Sequence, residues 1–348
     1  MRFYRISTIC RLFIIKLLSR MKLLTIFTPT YNRKHTIGRT YDSLLRQTSK
    51  DFNWLIIDDG SIDGTKEWVE SLGHGVWMDG PVYDWMGRKE TSYSNHVHFV
   101  VEVPTPDGNS LHIDYIYKPN GGLYTGYNVA YDFIQTELCV CIDSDDFTPD
   151  DAVEKICKRW LDRNKNKNYC GIVGLDFNLV DKRPIGGFFT DGVNEGYYTD
   201  VKRGGDTKEV LRLDLMKTVA PQVGFEGEKD FNPFYMISQI VDKYPILVEN
   251  SNLCWVEYQI GTDSMSQAIF KQFIRSPKSY ARYRLMQMQM TKGVSSVRRF
   301  SLAAHYVSAC IFSKDGDWLR NSNHKIMTIL AVPIGVIYNV LIRYKAKK

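Results

Sequence analysis

Leu138-Cys139-Val140-Cys141-Ile142-Asp143-Ser144-Asp145-Asp146 decides how this chain is read. An apolar run leads directly into three carboxylates within four positions. A run of this length reads as a strand buried on both faces. Charge at the end of a buried strand is costly unless it is paired or bound to a cation. Two readings follow. The carboxylates hold a hard divalent cation, Mg2+ or Mn2+, against a phosphate, or they form an acidic turn before the helix that starts after Pro149.

The flanking sequence favours a sheet that uses such strand ends. Residues 23–28 form an apolar run closed by Pro29, and residues 53–57 another that ends in Asp58-Asp59-Gly60-Ser61. Between and after them, residues 36–47 and 61–72 have helical spacing. Strand–helix–strand–helix predicts a parallel α/β sheet, with ligands at the carboxyl ends of its strands. Residues 96–103 and 110–117 predict two more strands, residues 124–135 and 150–163 helices, and residues 171–180 a further strand. Residues 210–215 read as a strand at the sheet edge, and residues 181–205 as a mobile loop. His96 and His98 alternate with apolar residues and share a strand face, and a metal site there is a minor reading.

Composition sets the outer bounds. With 348 residues, 44% of them hydrophobic and 24% charged, the chain has a real core and ordinary surface charge. The net charge of +6 gathers at both termini and within residues 271–299. No nucleic-acid-binding motif accompanies it, so nucleic acid is not an expected partner. Seven cysteines without framework spacing suit a reducing compartment. Residues 1–20 mix basic and apolar residues without a small-residue cleavage site and resemble a signal peptide poorly. They are an extension before a start at Met21, or an amphipathic surface helix starting at Met1. Residues 326–342 are almost wholly apolar with basic flanks. As a helix they would reach about 25 Å, short of a bilayer core of about 30 Å. They predict a re-entrant or interfacial membrane segment, or else a buried terminal helix.

Five motifs in order carry a resemblance: Thr25-Ile-Phe-Thr-Pro-Thr-Tyr-Asn-Arg33, Leu45-Arg-Gln-Thr48, Trp54-Leu-Ile-Ile-Asp-Asp-Gly-Ser-Ile-Asp-Gly-Thr65, Asn120-Gly-Gly122 with Tyr127-Asn128, and Ile142-Asp-Ser-Asp-Asp146. With them the chain resembles a family-2 glycosyltransferase of the GT-A fold, of the kind that builds cell-surface polysaccharides. The resemblance implies a Rossmann-like, mostly parallel sheet with helices on both faces and a helical C-terminal extension. It divides the chain into a basic extension (1–20), a catalytic domain (21–262) and a helical basic region (263–348). Within the catalytic domain, residues 21–150 are the nucleotide-sugar half and 151–262 the acceptor half.

It also implies roles. Thr28, Pro29, Tyr31 and Arg33 would line the base and ribose of a nucleotide-diphosphate sugar, a UDP-sugar foremost. Asp59 would accept the N–H of the base. Asp58 would contact the nucleotide or hold the turn by hydrogen bonds, as would Asp63. Asn120, Gly121, Gly122 and Asn128 would lie against the donor. Asp143, Ser144 and Asp145 would contact it too, with Asp145 and Asp146 holding Mn2+ or Mg2+. A base for the acceptor hydroxyl is expected in Phe225-Glu-Gly-Glu-Lys-Asp-Phe231, at Glu228 first, Asp230 second and Glu226 third. A charged surface loop is the other reading of that stretch. The resemblance implies inversion. Gln272-Phe-Ile-Arg275 is followed by Ser276 where processive relatives carry Trp, which points to transfer of a single sugar.

The expected acceptor is a lipid-linked or free glycan. The expected location is the cytoplasm, with peripheral or monotopic attachment to the inner face of the membrane. Oligomeric state is left open. The competing reading is a non-catalytic nucleotide-sugar-binding protein docked on a membrane glycan-assembly complex.

Overall fold

The computed structural model describes residues 22–78, 97–201, 204–257 and 269–347. The N-terminal extension, His96 and the expected boundary at 262 lie outside the described residues. The first half runs β1 (Leu24–Thr30), α1 (Lys34–Leu45), β2 (Phe52–Asp58), α2 (Thr65–Glu70), β3 (Val76–Trp77), β4 (Val97–Pro104) and β5 (Ser110–Tyr117). It continues with α3 (Leu123–Phe133), β6 (Leu138–Cys141) and α4 (Ala152–Leu161). The second half adds β7 (Gly171–Asn178), β8 (Glu195–Gly196), α5 (Tyr198–Val201), β9 (Thr207–Arg212), α6 (Leu213–Met216), α7 (Phe234–Val241) and β10 (Ile246–Val256). Helices then follow: α8 (Ile269–Arg275), α9 (Pro277–Gln289), α10 (Ser296–Ser313), α11 (Trp318–Asn321), α12 (Lys325–Leu330) and α13 (Val332–Ala346).

The strands form one ten-stranded sheet in the order β3-β4-β5-β2-β1-β6-β9-β7-β10-β8. Its centre, β5-β2-β1-β6, is parallel, and antiparallel pairings flank it. Every residue of β1 and β2 is buried, as their unbroken apolar runs require. One face packs Trp54, Val140 and Trp160, and the other packs Phe27, Ile57 and Tyr131. Each such large side chain contributes about 1.5–3 kcal/mol by leaving water. A third cluster, built on Tyr280, Met288, Leu302 and Tyr306, joins the C-terminal helices.

Two expectations are corrected. β9 is not an edge strand but lies between β6 and β7, because Val210 and Leu211 point into opposite cores. Residues 181–205 are not simply a loop. They contain β8 and α5, with Phe189, Tyr198 and Val201 buried.

The β4–β5 hairpin carries a polar chain across one face. His112 bridges Glu102 (Nδ1–Oε1 2.6 Å) and Asp114 (Nε2–Oδ2 3.0 Å), and His98 Nε2 lies 2.8 Å from Asp114 Oδ1. Burial opposes a charge on His112, but Asp114 and Glu102 outweigh it and lift its pKa to about 10. The unfolded value is about 6.5. A raised folded value stabilises fully below the unfolded pKa, and the gain is lost as pH rises through the folded one. Wild-type thermal stability should therefore exceed that of His112→Gln most below pH ~6.5, with the advantage fading towards pH ~10. A pH-independent gap between the two melting curves would contradict the charged bridge.

Candidate active site

The carboxyl ends of β1, β2, β5 and β6 come together, and the predicted site residues follow them. Thr30 is level with Asp58, and Phe27 with Cys141. The backbone N–H of Asp59 donates to Thr30 O at 2.8 Å, and that of Lys118 to Asp58 O at 2.9 Å. Asp58 is fully buried and holds its own turn: Oδ1 accepts from Ser61 N at 2.7 Å and Oδ2 from Tyr115 Oη at 2.8 Å. Burial raises its pKa, against the pull of the Ser61 and Tyr115 hydrogen bonds. Of the two roles open to Asp58, the structure displays the turn-holding one.

Asp59 is a correction. Instead of facing outward for a base, its carboxylate is filled by donors of the chain. Oδ1 accepts from Gly121 N (2.9 Å) and pairs with the buried Lys118 ammonium. Oδ2 accepts from Gly122 N (2.9 Å) and Asn120 Nδ2 (3.2 Å). A carboxylate has about four acceptor positions, so none remains. Asp59 thus builds the Asn120–Gly122 turn. Gly122 has φ +92°, and a Cβ there would fall 2.2 Å from Lys229 O, so only glycine fits. Lys229 Nζ donates to Asn120 Oδ1 at 2.6 Å, closing the turn from the acceptor half.

The first loop is also redistributed. Thr28 and Pro29 are buried, and Thr28 Oγ1 accepts from Trp54 Nε1 at 2.9 Å, so these two support the loop from beneath. Tyr31 is the exposed member, at 50%, and Arg33 is half-buried. Asn32, which sequence reasoning missed, ties this loop to the Asp58 turn: Asn32 N donates to Ser61 Oγ and Ile62 N to Asn32 Oδ1. Its φ of +53° lies in a region that asparagine tolerates better than most residues. Asn128 also turns inward: Nδ2 donates to Gln222 O and Oδ1 accepts from Gln222 N, which fastens α3 to the second half.

The acidic run forms a turn at the end of β6. Asp143 is exposed and Asp145 half-buried, while Ser144 and Asp146 are buried. Helix α1 holds the turn, with Arg39 donating to Asp145 O (3.0 Å) and Thr40 Oγ1 to Asp146 O (2.6 Å). Arg39 and Thr40 were not picked out from the sequence, where nothing ties them to a turn a hundred residues away. Beneath the turn lies Lys208, its Nζ 3.5 Å from Asp176 Oδ2, with both side chains nearly excluded from water. Burial pushes Asp146 up to about 8, against the pull of Lys208 and with the repulsion of Asp143 and Asp145. Asp146 is therefore corrected from an outward ligand to an inner member of this charge cluster.

Asp143 and Asp145 supply hard oxygen donors suited to Mg2+ or Mn2+. Among the described residues no three His, Cys, Asp or Glu side chains form a closed metal site. A cation here would complete its shell with phosphate and water, as Mg2+ usually does.

Beside Asp143 opens a cavity of about 300 Å³ between the sheet, α3 and the start of α7, lined in part by Tyr127, Thr207, Glu209 and Asn232. The expected base is not aimed at it. Glu228 accepts from Lys278 N, Ser279 N and Ser279 Oγ at 2.7–3.0 Å, holding the N-terminus of α9. Asp230 is gripped by Arg275 through two bonds of 2.6 Å and by Ser276 Oγ at 2.9 Å. Both anchor the C-terminal helices: Glu228 through the free N–H groups at the start of α9, which attract carboxylates, and Asp230 through the Arg275 guanidinium and the Ser276 hydroxyl. Glu226 is exposed. Glu228→Gln should keep transfer within about threefold of wild type, where loss of a general base costs about 10²–10⁴-fold. Glu228→Ala should instead lower stability by about 1–3 kcal/mol in denaturant melts.

This arrangement defines a class of protein. The family model described as "Glycosyl transferase family 2" matches residues 25–83, which contain the Tyr31 loop and the Asp58 turn. Over 177 residues the chain is 28% identical to a hyaluronan synthase of Pasteurella multocida. Over 175 residues it is 28% identical to a chondroitin synthase of the same species. These alignments cover about half of this chain, 51% and 50%, but only 14% of either synthase. The crystal structure of S. aureus TarS 1–349 shares the fold with a TM-score of 0.52 at 15% identity, covering 94% of this chain and 88% of that one. By its motifs and the match over residues 25–83 the chain is similar to glycosyltransferases of family 2, and it shares the fold of TarS.

Proposed function

We propose that the chain transfers one sugar, with inversion, from a UDP-sugar to a lipid-linked glycan during assembly of a surface polysaccharide. The observation that carries this reading is the placement of three features at the carboxyl ends of the central strands, the last of them bordering the cavity. These are the exposed Tyr31 loop, the Asn120–Gly122 turn built on Asp59, and the Asp143–Asp146 turn. Similarity to two named glycan synthases supports it, as does the shared fold of TarS, which has been solved with UDP and with UDP-GlcNAc.

In this reading Tyr31 and Arg33 contact the nucleotide, and the Asn120–Gly122 backbone approaches the donor. Asp143 and Asp145 hold Mn2+ or Mg2+, which offsets charge growing on the leaving diphosphate. A base for the acceptor hydroxyl comes from the carboxylates lining the cavity rather than from the 225–231 loop. Arg275 and Ser276, at the positions of the processive motif, serve as partners of Asp230, which suits transfer of a single sugar.

The membrane part rests on α12 and α13. No helix among the described residues is long and apolar enough to cross a membrane. The inner side of these helices is mostly small or polar, with Ile342 the buried apolar residue: Ala331 and Gly335 are buried, and Asn339 Nδ2 donates to Ser308 O. The outer side exposes Ile326, Leu330, Ile337, Val340, Leu341 and Tyr344, with Lys325, Arg343, Lys345 and Lys347 at its ends. Apolar residues outward and basic ends suit a helix pair lying in an anionic lipid surface at the inner face of the membrane.

The full chain, incubated with UDP-sugars, Mn2+ and lipid-linked glycans, should release UDP and yield an acceptor heavier by one sugar. UDP binding without turnover across the acceptor panel would leave only a non-catalytic binding role. Deleting residues 325–348 should move the protein from anionic vesicles to the supernatant in sedimentation assays. An unchanged distribution would sink the membrane reading.

A further inference from the structure

The cavity beside Asp143 is crowded with one sign of charge. Among the described residues, Asp143, Asp176, Asp206 and Glu209 line it together with one cation, Lys208. The Lys208 ammonium is already spent on Asp176 at 3.5 Å. The Oδ1 of Asp176 is buried without a hydrogen-bond partner, an acceptor in want of a donor. Glu209 is held in place by the hydroxyls of Tyr198 and Thr207, which both donate to its Oε1 at 2.6 Å. Among the described residues no hydrogen bond uses its Oε2. The volume, about 300 Å³, is at the small end for ligand sites and suits one sugar ring.

Resting on the glycosyltransferase reading above, we propose that this cavity receives the sugar of the donor and selects an uncharged, hydroxyl-bearing sugar over a hexuronate, with Glu209 as the specificity-determining residue. The chemistry is one-sided. Sugar hydroxyls donate to carboxylates, and a ring of acceptors satisfies them. A hexuronate brings a carboxylate with no proton to donate at neutral pH. It would be desolvated among like charges, where Coulomb repulsion is far stronger than in water.

The test measures binding of UDP, UDP-glucose, UDP-N-acetylglucosamine and UDP-glucuronate to the full chain by calorimetry, with Mn2+ in every arm. UDP-glucuronate should bind at least ~30-fold more weakly than the tighter neutral donor, as expected for a few like charges at short range. Glu209→Gln should shrink that gap by about tenfold through loss of one charge. Asp206→Asn, at an exposed position, should shift it in the same direction and covers the case in which the half-buried Glu209 substitution disturbs folding. UDP-glucuronate binding as tightly as the neutral donors, or a gap that neither variant moves, would overturn the inference. If UDP binds while discrimination fails, only this inference falls. If UDP itself does not bind, the donor reading falls with it.

Discussion

Asp145→Ala should lower transfer by about 10³-fold while leaving the fold intact. The side chain is half-buried at the surface of the turn, and the turn does not depend on it. What holds the turn is backbone: Asp145 O accepts from Arg39, Asp146 O from Thr40, and Asp146 N donates to Asp143 O. All three bonds survive truncation, so the stability change should stay within about 0.5 kcal/mol. Asp146→Ala is expected to behave differently. Its carboxyl is buried within the cluster around Lys208, and removing it leaves a cavity there. Asp146→Ala should therefore lose stability as well as rate. Activity with Mn2+ titration and denaturant melts on both variants would separate the two. Full activity of Asp145→Ala would remove the metal assignment, and equal melts for both variants would remove the inner role of Asp146.

Much of this was legible in the sequence because the signals were local. The apolar runs of β1, β2 and β6 and the helical spacing between them are short-range patterns, and each strand end was found by the acidic residues after it. The failures share one physical origin: side chains were assigned without knowing which donors lie opposite. Thr28 reads as a ligand residue until Trp54 Nε1 is seen on its hydroxyl. Glu228 and Asp230 read as a base until α9 and Arg275, about fifty residues downstream, are brought against them. β9 reads as an edge because six residues give no hint of what pairs on each side. The Lys208–Asp176 pair was invisible for the same reason, since two strands antiparallel in the sheet bring it together. Periodicity reports burial, but partnership needs the folded chain.

Asp59→Ala should be the most destabilising single change at the site, costing about 3–5 kcal/mol. The truncation removes one acceptor pair and orphans several donors at once. Lys118, 5% exposed, would lose its carboxylate and keep only Pro119 O at 2.8 Å and Thr125 Oγ1 at 2.7 Å. A buried ammonium held by neutral oxygens alone is poorly compensated, which is why breaking one half of a buried pair costs more than the pair contributes. The N–H groups of Gly121 and Gly122 would also lose their acceptors. Gly122 cannot move to find others, because Lys229 O lies against it. The double variant Asp59→Leu/Lys118→Met removes both charges and should recover at least half of the lost stability, since apolar replacement of a buried pair is often neutral. It should still fail to bind UDP, because the Asn120–Gly122 turn has lost the carboxylate that shapes it. Recovery of stability without recovery of binding would show that Asp59 acts through the turn. If Asp59→Ala melts like wild type yet loses UDP binding, the carboxylate belongs to the ligand after all, and the base contact implied by the family resemblance is restored.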